Sequence, residues 1–327
     1  MSPDTPCILY LGTDDGLLVA RLRNQEIEIV NWVAQGNAVR DISVHNDNVF
    51  DVYVGCGLRG WGLYHADDIR EGAELVGFED QWIWGVTRHP QDPDQVYVGT
   101  EPPMLYISQD DTSSFESFEQ IEELSSRPNW KFFHEPFYDG HIHGIAIHPD
   151  RPERIFAGVE HGAFIYSHDG GDTWQESLIG ADVHRVAVNP SNADHIFAAT
   201  GSGLYQSFDG GEEWEQTSDL HGFYLHGILF RRESPETMYV YADKTSPLYK
   251  STDGGRSWSP LSDEIPSSGP ADVLRQHPDD PDTLIYVGDT ADQTSKLFVS
   301  HDAGDSWNTT NTIVPKTWRL EVVSDEE

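Results

Sequence analysis

An eight-residue pattern recurs four times along this 327-residue chain and constrains its fold more than any other feature. The copies are SHDGGDTW at 167–174, SFDGGEEW at 207–214, STDGGRSW at 251–258 and SHDAGDSW at 300–307. In such a pattern Asp can accept hydrogen bonds from nearby backbone N–H groups, Gly permits a positive φ, and Trp can bury a large apolar surface. The pattern therefore predicts a short turn between two strands, repeated in similar structural units.

A second recurring phrase consists of two apolar strands joined by a turn, which in the clearest copies is His-Pro or Asn-Pro. The copies are GVTRHPQDPDQVYVGTEPP at 85–103, GIAIHPDRPERIFAGVEHG at 144–162, RVAVNPSNADHIFAATGSG at 185–203 and VLRQHPDDPDTLIYVGDT at 273–290, with weaker ones at 8–16, 41–57 and 227–244. Each unit thus contains four short strands at a period of 40–50 residues, which is typical of a β-propeller blade.

The two ends of the sequence indicate how the ring closes. ILYLGT at 8–13 aligns with the second strand of the other units, and TWRLEVV at 317–323 has the pattern of a first strand. We therefore predict a single all-β domain over 1–327, a seven-bladed β-propeller whose C-terminal strand completes blade one and removes an exposed sheet edge. The predicted blades are 317–323 with 7–36, then 37–80, 81–133, 141–180, 181–222, 223–265 and 270–313, with an insertion at 111–140.

The turn motif resembles the Asp-box, or BNR, repeat of sialidases, sortilin-type receptors and photosystem-assembly propellers, and SQDDTSSF at 108–115 resembles a decayed copy. The resemblance implies a structural role, on the face opposite the ligand site, for Asp169, Asp209, Asp253 and Asp302. It does not imply sialidase activity, because that family combines an arginine triad, a Tyr/Glu nucleophile pair and an N-terminal Arg-Ile-Pro motif in a six-bladed ring. The nearest string here, Arg154-Ile155-Phe156, belongs to a second strand.

The charge composition narrows the classes of partner and environment. The chain has 56 acidic and 20 basic residues, a formal net charge of −36, and the acidic residues are dispersed. Such a chain repels itself in dilute buffer and suits concentrated salt, as in halophilic archaea, and it lacks the basic surface that nucleic acids require. MSPDTPCILYLGTDDG has no export-signal pattern, and no 18-residue apolar run follows. We expect a cytoplasmic, halophilic monomer without nucleic-acid or membrane partners.

Three histidines on consecutive blades align at one column of the first strands: His143, His184 and His226. The same column contains Trp318, Arg40, Trp84 and Asp272 in the other blades. Because first strands surround the central channel, we expect these side chains to converge at one level. Imidazoles beside a carboxylate suit a divalent metal ion, with Glu160 or Asp272 completing the coordination or acting as a base. The alternative is an ordinary polar channel lining copied by duplication.

Aromatic and cationic side chains complete the predicted site. The candidates for substrate binding are Arg40, Trp84, Trp318, Tyr224 and His141. Flat aromatic faces beside a guanidinium suit a sugar or a carboxylated ligand. Arg185 and Arg319, which follow the histidine column, are candidates to pair with Asp182 or Asp41. The insertion ends in NWKFFHEPFYDG at 129–140, whose aromatic content predicts an ordered lid over the channel.

Two functional hypotheses follow. The first is a metal-dependent hydrolase or lyase that acts on a small polar or anionic molecule at the channel mouth opposite the Asp-boxes, with Arg40 orienting an anionic group. The second is a non-catalytic propeller that binds a protein partner or assembles a complex, as the resemblance to sortilin-type and assembly-factor propellers implies. Metal bound to the purified protein would favour the first hypothesis.

Overall fold

Seven four-stranded antiparallel sheets are formed by the residues that the structure describes. The structure, a computed structural model, describes residues 5–132, 139–242, 247–262, 265–267, 271–290 and 292–325. The innermost strands of neighbouring sheets contact one another in a cycle that returns to its starting sheet. This arrangement confirms the predicted seven-bladed β-propeller.

The first four blades have the following strands. Blade 1 contains β28 (Thr317–Ser324), β1 (Cys7–Thr13), β2 (Gly16–Arg23) and β3 (Glu26–Val33). Blade 2 contains β4 (Val39–Val44), β5 (Val52–Cys56), β6 (Leu63–Ala66) and β7 (Glu74–Gly77). Blade 3 contains β8 (Trp82–Arg88), β9 (Val96–Glu101), β10 (Leu105–Ser108) and β11 (Glu116–Ser117). Blade 4 contains β12 (His141–His148), β13 (Arg151–Glu160), β14 (Phe164–Ser167) and β15 (Gln175–Ser177).

The remaining blades follow the same order. Blade 5 contains β16 (Val183–Asn189), β17 (Asn192–Thr200), β18 (Gly203–Ser207) and β19 (Glu215–Gln216). Blade 6 contains β20 (Leu225–Phe230), β21 (Met238–Ala242), β22 (Leu248–Ser251) and β23 (Ser259–Ser262). Blade 7 contains β24 (Leu274–Gln276), β25 (Leu284–Asp289), β26 (Thr294–Ser300) and β27 (Asn308–Pro315). Short 3-10 helices span Glu119–Glu123, Arg127–Asn129 and Ser218–Leu220, and no helix among the described residues has the length and apolar composition that a membrane span requires.

Blade 1 joins the two ends of the chain. Strand β28 pairs antiparallel with β1, so that Cys7 lies opposite Ser324 and Leu11 lies opposite Leu320. Leu11 and Leu320 are fully buried in a cluster that extends to Ile285 of blade 7. Burying such a side chain stabilises a fold by about 1.5–3 kcal/mol. The predicted closure by a C-terminal strand is confirmed.

Each Asp-box turn is held by its own serine and aspartate. In the first box, Ser167 Oγ donates to Asp169 Oδ1 (2.8 Å), Gly171 N donates to Ser167 Oγ (2.8 Å) and Thr173 N donates to Asp169 Oδ1 (2.9 Å). The corresponding bonds form around Asp209, Asp253 and Asp302. These carboxylates satisfy the backbone of the turn that contains them, which is a structural role.

The sequence SQDDTSSF also folds as an Asp-box. Ser108 Oγ donates to Asp110 Oδ1 (3.0 Å), and the backbone N–H groups of Thr112 and Ser114 donate to Ser108 and Asp110 (both 2.9 Å). Phe115 replaces the tryptophan and packs edge-on against Phe78 at 4.7 Å. The turn therefore keeps its geometry although its glycines and its tryptophan have been replaced.

The histidines of the His-Pro turns also have a local role. The Nδ1 atoms of His89, His148 and His277 accept hydrogen bonds from backbone N–H groups of the turn at 3.0–3.1 Å. Asn189 accepts the corresponding bond from Ser191 N at 2.9 Å. An imidazole nitrogen therefore takes the place of the Asn side-chain oxygen as acceptor in these turns.

Candidate functional site

A cavity of about 340 Å³ lies in the channel, at the end where the first strands begin. Because the Asp-boxes follow the third strands of antiparallel blades, they lie at the opposite face. All the residues predicted for catalysis, substrate binding or metal binding line this cavity, namely Glu160, Asp272, Arg40, Trp84, Trp318, Tyr224, His141, His143, His184 and His226. Alignment of the strand columns thus located side chains that come together.

Glu160 lies at the centre of one half of the cavity. Strands β12 and β13 pair so that His141 lies opposite Glu160, and His141 Nε2 is 2.7 Å from Glu160 Oε2. His143 Nδ1 lies 3.6 Å from the same oxygen. The imidazole of His141 stacks on Trp84 at 3.8 Å, and its Nδ1 is 3.4 Å from Glu101 Oε2. Two imidazoles therefore approach one buried carboxylate.

The other half of the cavity contains His184, Asp182 and His226. His184 Nδ1 donates to the Leu225 carbonyl oxygen (2.6 Å), and His184 Nε2 lies 3.1 Å from Asp182 Oδ2 without the alignment of a hydrogen bond. The His226 ring stacks on the His184 ring at 5.2 Å. Tyr224 donates its hydroxyl to Asp182 Oδ2 (3.2 Å). The bond to Leu225 fixes the tautomer of His184 and directs Nε2 toward Asp182.

Four of the five described histidines that line the cavity have shifted pKa values. Burial opposes the charged form of each, but Glu160 and Glu101 raise the pKa of His141 to about 9. The neighbouring Asp182 carboxylate likewise overcomes burial and raises the pKa of His184. Burial lowers the pKa of His143 to about 4 and that of His226 to about 3, with charged His184 adding to the effect on His226. Within one cavity, two imidazoles thus have raised pKa values and two have lowered ones.

Two groups of metal-ligating atoms occur among the described residues. One contains His141, His143 and Glu160, the other contains Glu160, Asp182 and His184, and in each group the atoms lie within 4.8 Å of one another. His226 belongs to neither group. The predicted set of three histidines around one ion is therefore replaced here by groups that share Glu160, and the sequence had not indicated Asp182 as a ligand.

Asp272 lines the cavity, but its carboxylate already contacts arginine side chains. Its carboxylate contacts Arg319, lies 3.0 Å from Arg185 Nε and 2.8 Å from Arg275 Nη1, and accepts a hydrogen bond from the Tyr241 hydroxyl (2.6 Å). A carboxylate with three guanidinium neighbours is a poor proton acceptor. The three guanidinium contacts leave Asp272 less available to a ligand than Glu160, whose cationic neighbours are imidazoles.

Asp272 belongs to a cluster of buried and partly buried residues that we call the ionic floor, which consists of Asp41, Arg185, Asp272, Arg275, Arg319 and Glu321. Asp41 Oδ1 lies 2.9 Å from Arg319 Nε and 3.5 Å from Arg185 Nη2, so both arginines pair with Asp41 and not with Asp182. The cluster contains as many arginines as carboxylates and therefore balances its charge without a ligand.

Arg40 differs from the arginines of the ionic floor. It is buried between Trp318 and Trp84, with its Cζ 4.6 Å and 5.7 Å from their ring centroids. Its carboxylate neighbour, Asp14, lies 3.8 Å away and is 42% exposed. Burial lowers the pKa of Arg40 to about 10, yet the group stays charged at neutral pH. Arg40 therefore presents a weakly paired cation to the cavity.

The insertion contributes one wall of the cavity. Phe132 stacks on His141 at 5.4 Å and contacts the His161 ring at 4.0 Å. Trp130 is fully buried and donates its indole N–H to Ser126 Oγ (2.7 Å). Residues 133–138, which include much of the predicted lid, lie outside the described part of the chain.

A family model described as "Sortilin, neurotensin receptor 3" (Sortilin-Vps10) matches residues 202–326, which include three of the Asp-boxes. The resemblance to BNR-type propellers is confirmed. The match covers less than half of this chain, and a comparison with curated proteins found no significant match.

Several solved structures share the fold. The GH74 xyloglucanase from Xanthomonas campestris has a TM-score of 0.71 and 16% identity over 96% of this chain and 52% of that enzyme. A putative 6-phosphogluconolactonase from Bacteroides fragilis has a TM-score of 0.67 and 12% identity over 99% of both chains. YCF48 bound to D1 peptide has a TM-score of 0.57 and 14% identity over 85% of this chain and 82% of that chain.

These likenesses show the fold and not the activity, because the identities are low. This chain spans about half the length of the GH74 enzymes, 52% in one case and 46% in another. The neighbours include proteins named as enzymes and one named with a bound peptide, so the fold is compatible with both functional hypotheses.

Proposed function

We propose that the cavity is the active site of a metal-dependent hydrolase or lyase for a small, carboxylate-bearing substrate. The observation that carries this proposal is a set of unsatisfied imidazole nitrogens. His143 Nδ1, His184 Nε2 and His226 Nε2 are buried, belong to residues that line one cavity, and form no hydrogen bond among the described residues. Leaving a buried polar atom unpaired costs about 1–3 kcal/mol, so three in one cavity favour a bound ligand.

The donor atoms suit a divalent transition metal ion. Imidazole nitrogen together with carboxylate oxygen is the donor set that zinc, manganese and ferrous iron use. Glu160, common to both groups of candidate ligands, is the residue on which we centre the ion. When bound, such an ion would polarise a substrate oxygen or lower the pKa of a coordinated water.

Arg40 and the surrounding aromatic side chains support the substrate class. A buried guanidinium whose carboxylate neighbour is 3.8 Å away can bind a substrate carboxylate directly. Trp84 and Trp318 provide flat faces on either side of it. A volume of about 340 Å³ suits a small molecule, and the neighbour named as a putative 6-phosphogluconolactonase supports a sugar-acid derivative.

Side chains that line the cavity would accept hydrogen bonds or protons from the substrate. His226 is neutral and its Nε2 lone pair is unpaired, so it can accept a hydrogen bond from a water or a substrate hydroxyl. Asp272 is held by the ionic floor and does not take part as a base in this proposal.

The test is metal analysis of protein purified in high KCl without an affinity tag. We expect at least one divalent ion per chain, loss of most of it in His184→Ala, and retention in the control His148→Ala, which alters a turn histidine. Protein with no stoichiometric metal, and no uptake of zinc or manganese on dialysis, would contradict the proposal.

The alternative, a non-catalytic propeller that binds a peptide, has one specific observation in its favour. Trp61 is 49% exposed and stacks on Trp82 at 5.9 Å, next to Leu58, which lines the cavity. The neighbour YCF48 is named with a bound peptide. Metal-free protein whose peptide affinity depends on Trp61 would favour this alternative.

A further inference from the structure

We propose that the cavity binds two divalent ions, bridged by the carboxylate of Glu160. The inference rests on the proposed function and deepens it. The candidate ligand atoms form two groups that share only Glu160: His141 and His143 complete one group, and Asp182 and His184 complete the other. If all of these atoms served a single ion, they would form one group and not two.

The spacings within each group suit a shared ion. Two ligands that each lie about 2.0–2.2 Å from one ion are about 3–3.6 Å apart. His143 Nδ1 lies 3.6 Å from Glu160 Oε2, and His184 Nε2 lies 3.1 Å from Asp182 Oδ2. His141 Nε2 and Glu160 Oε2, at 2.7 Å, are hydrogen-bonded, and an ion would take the place of the shared proton. Each group therefore needs little rearrangement to coordinate an ion.

Unpaired buried nitrogens provide an independent observation. His184 is 3% exposed, and its Nε2 forms no hydrogen bond in the described part of the chain. His143 Nδ1, in the other group, is also buried and forms no hydrogen bond to a described residue. Each group therefore contains a buried imidazole nitrogen that can coordinate an ion of its own.

The surrounding residues hold Asp182 and His184 in place, as the partners of metal ligands usually do. Tyr224 donates to Asp182 Oδ2 (3.2 Å), the His161 backbone N–H donates to Asp182 Oδ1 (3.2 Å), and Leu225 accepts from His184 Nδ1 (2.6 Å). On the other side, Glu101 lies 3.4 Å from His141. Three carboxylates, Glu101, Glu160 and Asp182, thus offset much of the charge of two ions. Such bridged pairs are typical of hydrolases, which favours hydrolysis over elimination.

The experiment loads metal-free, full-length protein with Mn²⁺ in high KCl and measures bound ions by equilibrium dialysis. Electron paramagnetic resonance then reports whether two ions are magnetically coupled. We expect two ions per chain in the wild type, and one ion without coupling in both His143→Ala and His184→Ala. Glu160→Gln should weaken binding of both ions at least tenfold. The control His195→Ala removes a buried histidine whose Nε2 is also unpaired but which lies outside the cavity, and it should keep both ions.

The outcomes separate this inference from the proposed function. One ion per chain in the wild type would overturn the two-ion site and leave the proposed function standing. No ion would overturn both. Two ions that remain coupled in Glu160→Gln would overturn the bridge. If Glu160→Gln fails to fold, as judged by circular dichroism, the two histidine variants still decide between one site and two.

Discussion

The cavity and the ionic floor are two layers of one channel, built from neighbouring residues of the same strands, and they differ in the cationic groups that their carboxylates face. In the floor, Asp41 and Asp272 each lie near two or more arginines, and the charges balance. In the cavity, imidazole nitrogens remain unpaired beside carboxylates. Among the described residues, unpaired polar atoms occur in both layers, so the difference lies in the cations: permanently charged guanidinium groups in the floor, and imidazoles, which can bind a metal ion, in the cavity.

His184 and Arg185 show how closely the two layers meet. These consecutive residues of β16 contribute to different layers, because Arg185 reaches Asp41 and Asp272 while His184 faces Asp182. The predictions below separate the two layers experimentally.

The largest expected effect is that of deleting residues 317–327. This change removes β28, and with it the inner strand of blade 1 and two members of the floor, Arg319 and Glu321. An open ring edge and unpaired buried charges should together abolish cooperative unfolding in circular dichroism. A truncated chain that melts like the parent would show that the floor is dispensable.

Replacing Asp41 by Ala should cost about 3–5 kcal/mol of the free energy of unfolding, because two buried guanidinium groups lose a partner. In the cavity layer, His184→Ala should cost less, about 1–3 kcal/mol, since it removes the hydrogen bond to the Leu225 carbonyl and the contact with the partly exposed Asp182 carboxylate. Denaturant titration of both variants in the same KCl concentration measures this difference. Equal losses would mean that the two layers do not differ in the way described.

Salt should stabilise the protein as a whole without weakening the floor. The net charge of −36 repels itself at low ionic strength, and screening reduces this repulsion, whereas buried ion pairs are screened much less. The melting temperature should therefore rise between low and molar KCl. A flat or falling melting temperature would instead indicate that surface ion pairs dominate, and would remove the basis for a halophilic protein.

The smallest expected effect is a difference in pH dependence. The pKa of His226 is about 3 in the folded protein, so the unfolded chain binds its proton first as the pH falls below about 6.5. The contribution of His226 to the free energy of unfolding is complete above pH 6.5 and is lost as the pH falls below that value. His141, with a pKa of about 9, contributes below pH 6.5 and loses its contribution as the pH rises to 9.

The measurement is the free energy of unfolding from pH 5 to pH 9 in metal-free protein. His226→Phe should flatten the acid side of the curve and leave the alkaline side unchanged. An acid side that stays as steep as in the wild type would show that His226 is not the buried neutral imidazole described here.

The fold could be predicted because its determinants are local. Gly, Pro and Asp recur at fixed offsets between strands, and the same phrase occurs often enough to count the blades. Alignment of first-strand columns also located the cavity residues, since equal positions in equivalent strands lie at one level of a channel. The turns between the first and second strands also contain a signal that the sequence analysis missed. In blade 5, Asn189 stands where other blades have histidine. This exchange indicates that the position requires a side chain that accepts a backbone hydrogen bond.

The pairing within the channel could not be predicted, because it depends on contacts between residues far apart in sequence. Glu160 and Asp272 were equal candidates for the functional acid until the structure placed three arginines around Asp272. Arg275 and Glu321, which complete that cluster, lie outside the histidine column. Which imidazole nitrogen stays unpaired depends on a bond such as that from His184 to the Leu225 carbonyl, which no sequence pattern reveals.

The pairing of β28 with β1 also sets the order of events during synthesis. Blades 2 to 7 are each built from consecutive segments and can form as they leave the ribosome, but blade 1 must wait for the last strand in chain order. Arg319 arrives with that strand, so until then Arg185 is the only arginine among the described residues that contacts both Asp41 and Asp272. A nascent chain should therefore be unable to hold a ligand in the cavity. It would gain the ability to bind one in a single late step, when β28 pairs with β1.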